Sequence, residues 1–380
     1  MVNRTYWQNS IEETWRHRSV IWLSGVRRAG KTHLCRSIPD VTYFDCELPS
    51  VREQLADPEW FLSQNKNRRI VLDEIQRLPN PSEILKIAAD HYPTTKIIAT
   101  GSSILGASTK FADTLTGRKS EIWLTPLLIE EGKNFGHLDL SRRMLYGGLP
   151  PFFISKDLPN KDYQEWIDAY WAKDIQELFR LEKKHSFQKF TELMLAKSGG
   201  IFEATAFAKS CEVSRGTISN YLSVLESTYI AHIIRPFHTH KSTEIVAAPK
   251  VYGFDTGFVC YHRGWESLRK EDIGLLWEHI VLNEIQGRLQ TRKIHNWRDK
   301  QGHEIDFVLL NQRNKMPTLI ECKSTSKNID LSSLTYFRKN YPQGKNFIVT
   351  PDTPHHFQKR FQNIIVDIVN LTELISLITK

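Results

Sequence analysis

The sequence has few cysteines and lacks long hydrophobic runs. Its 380 residues contain five scattered cysteines, an odd number, without a C-x-x-C pair. This pattern argues against a disulfide framework or a zinc knuckle and favours a reducing cytoplasm. No apolar run approaches the ~20 residues that span a bilayer. The amino-terminal residues also lack the apolar core of a signal peptide. We therefore expect a cytoplasmic protein without a membrane partner.

Composition bounds the fold class and the kind of partner. The length predicts two or three domains. Apolar residues make up 40% and charged residues 25%, which is typical of globular proteins with real cores. The net charge is +8 and the isoelectric point about 9.1. Such a balance suits an anionic partner such as DNA, although a soluble basic protein has the same composition.

The first part of the chain alternates short apolar runs with helical patterns. Such alternation predicts a parallel α/β sheet, because parallel strands need crossover helices. The helical pattern at residues 81–92 lies between two of the predicted strands. The predicted strands cover residues 19–24, 41–48, 68–76, 95–103 and 121–127.

A phosphate-binding loop follows the first of these strands. Residues 25–32 read G-V-R-R-A-G-K-T, a complete G-x-x-x-x-G-K-T between a strand and a helical run. In such a loop the glycines permit the tight turn, the lysine reaches the β- and γ-phosphates, and the threonine ligates Mg²⁺. ATP and Mg²⁺ are therefore the expected cofactors. The residues that we assign to nucleotide binding in this segment are Gly25, Arg28, Ala29, Gly30, Lys31, Thr32 and His33.

Further candidates follow at the ends of later strands. Asp73 would hold the Mg²⁺ shell and Glu74 would activate the attacking water, unless both are simply a solvated strand end. The next strand offers a hydroxyl, from Ser102 or Thr100, to sense the γ-phosphate. Arg118 would stabilise transition-state charge in cis or across a subunit boundary, or is a plain surface arginine.

The carboxyl-terminal part carries a second constellation. Asp306 lies on one apolar strand, and Glu321 and Lys323 lie on the next, fifteen positions further along. Residues two apart on a strand share a face, so Glu321 and Lys323 point the same way. Asp306 and Glu321 would bind Mg²⁺, while Lys323 would orient water or stabilise phosphorane charge. The alternatives are a solvated hairpin face, or a nuclease-like domain that binds DNA and cleaves poorly.

Two other features bear on DNA binding. Residues 202–228 predict a helix–turn–helix in which Ser214 caps the second helix, followed by a strand that could be a wing. The competing interpretation is a structural lid beside the ATPase site. Basic residues near the carboxyl-terminal constellation would suit a phosphate backbone, namely Arg298, Lys300, Arg313, Lys315, Lys327, Arg338 and Lys339.

These motifs resemble those of a widespread group of prokaryotic AAA-type ATPases that carry a carboxyl-terminal domain of restriction-endonuclease-like PD-(D/E)XK fold. The quoted signals are the phosphate loop, VLDEIQ, TGSS, L-x-G-R and L-x-P-L. The resemblance implies an ASCE-type P-loop ATPase, Arg118 as its arginine finger, and a homo-oligomer such as a ring. It also implies a metal-ligating acid on a helix before the strands. Glu278 fits that place, with Glu284 in reserve.

The sequence thus predicts three α/β or helical domains. Residues 1–150 would form the AAA-type ATPase, 151–245 a helical winged-helix-like region, and 246–380 the nuclease-like domain. The first hypothesis is an ATP-hydrolysing DNA-processing enzyme with a metal-dependent nuclease-like domain. The second is a nucleotide-switched regulatory or defence ATPase whose last domain binds DNA without cutting it. A third hypothesis is an ATPase that acts on proteins.

Overall fold

The computed structural model describes residues 2–101, 114–176, 183–238, 248–310, 316–327 and 329–379. The strands in these ranges are β1 (Val20–Ser24), β2 (Val41–Asp45), β3 (Arg69–Asp73), β4 (Lys96–Thr100), β5 (Lys119–Trp123), β6 (Gly200–Ile201), β7 (Ala231–Pro236), β8 (Lys250–Gly253), β9 (Ile294–Arg298), β10 (Glu304–Leu310), β11 (Pro317–Cys322), β12 (Asn346–Val349), β13 (Phe357–Phe361) and β14 (Ile364–Val369).

Helices occupy much of the remaining chain. The α-helices are α1 (Thr5–His17), α2 (Lys31–Arg36), α3 (Pro49–Gln54), α4 (Pro58–Gln64), α5 (Pro81–His91), α6 (Leu140–Leu145), α7 (Pro150–Phe153), α8 (Asn160–Tyr170), α9 (Lys184–Ala196), α10 (Ala204–Cys211), α11 (Arg215–Ser227), α12 (Thr256–Arg263), α13 (Lys270–Leu289), α14 (Ser332–Asn340) and α15 (Leu371–Thr379). A π-helical turn, Trp171–Ile175, continues α8. In the described ranges, no helix combines the length and apolarity needed to cross a membrane.

Two compact units make up the fold. The first comprises Met1–Asp139, Leu149–Glu182 and Ser227–Ile230, and the second comprises Leu140–Gly148, Lys183–Glu226 and Ala231–Lys380. The predicted boundaries at residues 150 and 245 do not coincide with these divisions. Long-range contacts explain the difference, because α8 packs with the first unit while β7 joins the sheet of the second.

The first unit contains the parallel sheet that the sequence predicts. Its five strands have the order β2-β3-β4-β1-β5, and every neighbouring pair is parallel. The central strand β1 is buried along its whole length, since it has a neighbour on each side and covered faces. All carboxyl ends therefore meet at one edge, and the loop that follows β1 lies there. The predicted parallel α/β sheet is confirmed.

The second unit contains a mixed sheet of nine strands. Their order is β13-β14-β12-β11-β10-β9-β7-β8-β6. Because β7 pairs antiparallel with β8 and parallel with β9, it is an internal strand of this sheet. β8 also pairs antiparallel with β6, so β6, β7 and β8 form a small antiparallel group that flanks α10 and α11 in sequence. A winged-helix role for this region stays a prediction. A restriction-endonuclease-like fold for this unit stays a prediction.

The predicted helix–turn–helix corresponds to α10 and α11. The Ser214 hydroxyl accepts a hydrogen bond from the Thr217 amide at 3.0 Å, so Ser214 caps α11 as expected. The inward stripe is buried, and it consists of Ile218, Tyr221, Leu222 and Leu225. Polar residues near the amino end of α11, including Arg215 and Ser219, are exposed.

Arg338 has a structural role that the sequence did not indicate. Its buried guanidinium donates hydrogen bonds to Asn346 Oδ1 at 2.7 Å and to the carbonyls of Pro317 and Lys345 at 2.9 and 2.8 Å. Burial lowers the pKa of Arg338 to about 10. The expectation that Arg338 contacts a phosphate backbone was wrong, because its donors are used inside the unit. Arg313 and Lys315 lie outside the described residues.

Candidate functional site

A cavity of about 1000 Å³ lies in the first unit, where the parallel strands end. Residues of the loop after β1 line it, together with Glu74 after β3 and Gly101 after β4. The wall also includes the amino terminus, residues 134–136, and the segment that contains α7, α8 and the π-helical turn. Further lining residues are Glu47, Gln76, Arg77, Thr228 and Ile230. The cavity is large enough for a nucleoside triphosphate.

The phosphate loop has the backbone that its glycines predict. Gly30 has a φ of +96° and precedes α2, so the first amides of this helix face the cavity. Gly25 has a φ of +139°, and a β-carbon there would lie 2.4 Å from the Leu124 carbonyl oxygen. A side chain is therefore excluded at Gly25 both by conformation and by space.

Lys31 folds back onto the loop. Its Nζ donates to the carbonyl oxygens of Gly25 and Val26 at 2.8 and 3.2 Å. Burial lowers the pKa of Lys31, while the negative charges of Glu74, Asp174 and Asp73 oppose this shift. The ammonium of Lys31 therefore lies among carboxylates and backbone carbonyl oxygens.

The amino-terminal residue Arg4 braces this loop from an unexpected direction. Arg4 forms two hydrogen bonds with the Glu131 carboxylate, at 2.7 and 2.8 Å, and its third nitrogen donates to the Ala29 carbonyl at 2.8 Å. Trp7 Nε1 and the Leu128 amide also donate to Glu131. Arg4 and Glu131 are 3% and 2% exposed, so the pair is fully desolvated.

Glu131→Ala is expected to destabilise the protein by about 3–5 kcal/mol, because it leaves the Arg4 charge buried without its partner. Nucleotide affinity should fall as well, since Arg4 would no longer hold Ala29. Glu13→Ala is the matched control, because its pair with Arg16 is exposed on α1 and should contribute less than ~1 kcal/mol. Urea unfolding measures both effects. Equal losses in the two variants would contradict the proposed role of the buried pair.

Asp73 lies at the centre of a hydroxyl cluster at the end of β3. Its carboxylate accepts hydrogen bonds from Thr32 Oγ1 at 2.9 Å and from the hydroxyls of Tyr43 and Thr100. Thr32 and Asp73 together supply adjacent hard oxygen donors, so the residues present fit a Mg²⁺ ion. Tyr43 and Thr100 were not assigned to this cluster from the sequence. The sequence offered Thr100 or Ser102 as the hydroxyl that senses the γ-phosphate. Thr100 lies in this cluster, and Ser102 lies outside the described residues.

Glu74 occupies a strained position beside the phosphate loop. Its φ of +53° is left-handed, which is uncommon for a residue with a side chain and frequent at active sites. Its amide donates to Thr100 Oγ1 at 3.2 Å, and Gln76 Nε2 donates to its carboxylate. The Thr100 contact fixes the backbone and the Gln76 contact holds the carboxylate, which lines the cavity.

The remaining candidates of the loop lie around the same cavity. Arg28 and His33 line it, and the guanidinium of Arg28 lies 5.9 Å from the centre of the Phe152 ring. Ala29 is buried and contributes its carbonyl to Arg4. Arg28, like Glu74, has a left-handed backbone, with a φ of +62°.

Arg118 lies away from this cavity. It precedes β5, which runs parallel to β1, so it stands at the amino ends of the strands and opposite the phosphate loop. Its Nε donates to Asp90 Oδ1 at 2.8 Å, and this hydrogen bond raises the pKa of Arg118. Arg118 is not among the described residues that line the cavity. A role in the ATP site of its own subunit is therefore ruled out, and a role across a subunit boundary stays a prediction.

The second constellation lies on the neighbouring strands β10 and β11 of the second unit. The antiparallel register of β10 and β11 pairs Phe307 with Ile320. The next pair along the two strands is Asp306 and Glu321, which therefore lie opposite each other. The Asp306 amide donates to Glu321 at 3.4 Å, and the Cys322 amide donates to Asp306 at 2.8 Å. Opposed residues share a face of the sheet, so the two carboxylates face the same side.

Charge is concentrated around these two acids. Lys323 Nζ donates to Glu321 Oε1 at 2.9 Å. Burial raises the pKa of Glu321, and the charge of Asp306 raises it further. Burial works against a charge on Lys323, but Glu321 and Asp306 outweigh it and raise the pKa of this ammonium. Such an arrangement can hold a divalent cation through the carboxylates and can stabilise negative charge through the ammonium.

The structure adds two residues that sequence reasoning missed. Tyr252, on β8, donates to Glu278 Oε2 at 2.7 Å. Lys250, on the same strand, forms an ion pair with Glu304. Burial raises the pKa of Glu278, and the negative charge of Asp306 raises it further. No short motif marks β8, because its residues reach the acids only through the fold.

Glu278 is therefore a better candidate than Glu284. The side chain of Glu284 is buried and pairs with Arg288 at 3.4 Å. In the described ranges, no group of three or more histidine, cysteine, aspartate or glutamate side chains could hold a metal ion. The predicted trio of Glu278, Asp306 and Glu321 therefore does not form a three-acid metal cluster in the described residues. The facing pair of Asp306 and Glu321 remains the candidate for holding a metal ion.

Three family models match successive parts of the chain. Residues 17–132 match the family described as AAA domain. Residues 137–269 match a domain of unknown function (DUF8612), and residues 273–374 match another (DUF4143). Together with the phosphate loop and the parallel sheet, the first match shows that the amino-terminal part is an AAA-type P-loop ATPase domain.

The chain is similar in sequence to two uncharacterized proteins. An uncharacterized protein of Mycobacterium tuberculosis is 29% identical over 325 residues, which are 82% of this chain and 71% of the relative. An uncharacterized protein of Haemophilus influenzae is 22% identical over 370 residues, which are 86% of this chain and 88% of the relative. Among solved structures, the Walker-type ATPase of Pyrococcus abyssi aligns with a TM-score of 0.46 at 16% identity, covering 69% of this chain and 96% of that chain.

Proposed function

We propose that this protein is an ATP-hydrolysing, DNA-processing enzyme in which the AAA-type ATPase acts together with a metal-dependent nuclease-like unit. The observation that supports the nuclease-like half is the facing pair Asp306 and Glu321 with Lys323 beside it. Two carboxylates and a cation on adjacent strands suit phosphodiester hydrolysis better than a solvated hairpin face, because both acids are buried.

In the ATPase, the chain's own residues supply binding and proton transfer. The loop amides and Lys31 would cradle the phosphates, while Thr32 and Asp73 would hold Mg²⁺. Mg²⁺ neutralises phosphate charge when it is bound. Glu74 would accept a proton from the attacking water. Arg118 would act on the nucleotide of a neighbouring copy, which requires a homo-oligomer such as a ring.

In the second unit, Asp306 and Glu321 would hold a divalent cation through hard carboxylate oxygens, with Glu278 near them. A divalent cation would polarise the scissile phosphate. Lys323 would orient water or stabilise charge on the phosphate. The exposed polar end of α11 would contact the DNA.

A second candidate is a nucleotide-switched regulatory or defence ATPase whose second unit binds DNA without cutting it. The lack of a three-residue metal cluster in the described ranges favours this alternative. Both candidates place the protein in the cytoplasm with ATP and DNA as partners.

The deciding experiment incubates the purified protein with single-stranded, duplex and branched DNA, with Mg²⁺ or Mn²⁺ and with or without ATP. We expect cleavage that EDTA abolishes, and DNA affinity that falls steeply with salt. Lys31→Ala shows whether ATP controls the cleavage. DNA-stimulated ATP hydrolysis without cleavage of any substrate would support the second candidate. ATP hydrolysis without any salt-sensitive DNA binding would rule out both and favour an ATPase that acts on proteins.

A further inference from the structure

The phosphate loop makes an ion pair that its motif does not require. Arg27 Nε lies 3.2 Å from Asp174 Oδ2. Both residues line the nucleotide cavity with Lys31. Asp174 is 9% exposed, so its carboxylate is largely shielded from water and interacts strongly with nearby charges. The pair is therefore in a position to influence nucleotide binding.

Asp174 comes from an unusual backbone segment. It belongs to the π-helical turn Trp171–Ile175, and such turns are frequent at functional sites. On the preceding helix α8, Trp166 Nε1 donates to the Arg27 carbonyl oxygen at 3.1 Å. The segment from α8 to the π-helical turn thus contacts Arg27 at two points. Trp166 binds its backbone carbonyl, and Asp174 binds its guanidinium.

The charge of Asp174 also reaches Lys31. Against the burial that lowers the pKa of Lys31, three acids favour its charged form, namely Glu74, Asp174 and Asp73. Asp73 and Glu74 already serve the roles that this class of ATPase needs, the magnesium shell and the base. Asp174 is an additional negative charge at the place where Lys31 is expected to meet the β- and γ-phosphates.

The phosphates of a nucleoside triphosphate would therefore compete with Asp174 for the cationic side chains of the loop. Phosphate oxygens and Asp174 would both seek the guanidinium of Arg27 and the ammonium of Lys31, and like charges in a poorly solvated cavity repel. A guanidinium binds phosphate as well as carboxylate, so Arg27 can exchange one anion for the other.

We propose that Arg27 is a ligand of the terminal phosphate of ATP and that Asp174 competes for it, so that this pair discriminates a nucleoside triphosphate from a diphosphate. The inference depends on the ATPase assignment of the first unit and is independent of the nuclease proposal.

The first test is Asp174→Asn, which removes the charge and keeps the shape. Binding of a non-hydrolysable ATP analogue and of ADP is measured by calorimetry in the presence of Mg²⁺. We expect the Kd of the analogue to fall about tenfold, equivalent to ~1.4 kcal/mol. The Kd of ADP should fall clearly less, because ADP lacks the terminal phosphate that Arg27 would bind and only its β-phosphate would lie near Lys31. ADP binding also shows that the variant is folded.

The second test is Arg27→Ala, which should weaken the analogue about tenfold relative to ADP. In the double variant, Asp174→Asn should improve binding of the analogue less than it does with Arg27 present, because part of its effect acts through that side chain. Asp168→Asn is the matched control, since Asp168 is exposed on α8 of the same segment and should change neither Kd.

Two results would overturn the inference. Weaker binding of the analogue to Asp174→Asn would mean that the carboxylate supports the nucleotide instead of competing with it. Equal changes for the analogue and for ADP would mean that the pair does not sense the terminal phosphate. If the wild-type protein binds neither nucleotide, the ATPase assignment itself fails and the inference fails with it.

Discussion

Glu74→Gln is expected to slow ATP hydrolysis by about 10³-fold while ATP binding is retained, because glutamine cannot accept a proton from the attacking water. Glutamine keeps the size of the side chain, and the backbone amide of residue 74 can still donate its hydrogen bond to Thr100 Oγ1. The substitution also removes one of the negative charges around Lys31, so affinity for ATP should be equal or higher. Phosphate release at saturating ATP measures the rate, and calorimetry measures binding.

The matched control is Glu53→Gln, because Glu53 is an exposed residue of α3 and lies outside the cavity lining. It should hydrolyse ATP at the wild-type rate. Lys31→Ala should differ from Glu74→Gln by losing nucleotide binding itself. A Glu74→Gln variant that keeps its rate within about fivefold would show that another group activates the water.

The parts of this site that could be predicted from the sequence are those that one short segment contains. The loop at residues 25–32, its preceding strand and the acids after β3 are contiguous motifs, because the strand end, the turn and the helix start are neighbours in the chain. The parallel sheet followed from the same local patterns, and Ser214 was recognised as a cap from three residues of context.

The contacts that complete the site join distant parts of the chain. Arg4 and Glu131 are 127 residues apart, and Arg27 and Asp174 are 147 residues apart. Hydrophobic periodicity carries no information about such pairs, since each residue alone looks like an ordinary surface charge. The pairing of β7 is decided in the same way. Its sequence marks a strand but does not show that β8 and β9 lie beside it.

Arg118 shows a further limit of motif reasoning. Its spacing from the phosphate loop placed it in the ATPase domain but left open which edge of the sheet it would occupy. The parallel pairing of β1 and β5 decides this point, because a residue before β5 must lie at the amino ends. The pairing thus excludes a contact with the ATP site of its own subunit, and a contribution to a neighbouring copy stays a prediction.

The second large effect is expected for the facing acids of the second unit. Asp306→Asn should reduce metal-dependent DNA cleavage by about 10³-fold or more, because an amide neither neutralises nor holds a divalent cation as a carboxylate does. An asparagine oxygen can still accept from the Cys322 amide, so the fold should persist. Gel assays with Mn²⁺ measure cleavage, and fluorescence anisotropy measures DNA affinity.

Two comparisons make the result specific for the Asp306 carboxylate. Glu266→Gln, at an exposed position of the same unit, should leave cleavage unchanged. ATP hydrolysis should also be unchanged in Asp306→Asn, because the cavity that holds Lys31 and Glu74 belongs to the first unit. Loss of cleavage together with retained DNA binding and ATP hydrolysis would assign the chemistry to the pair of acids. Cleavage that survives in Asp306→Asn would instead place the nuclease activity elsewhere, and the buried acids would then serve the fold or the binding of DNA.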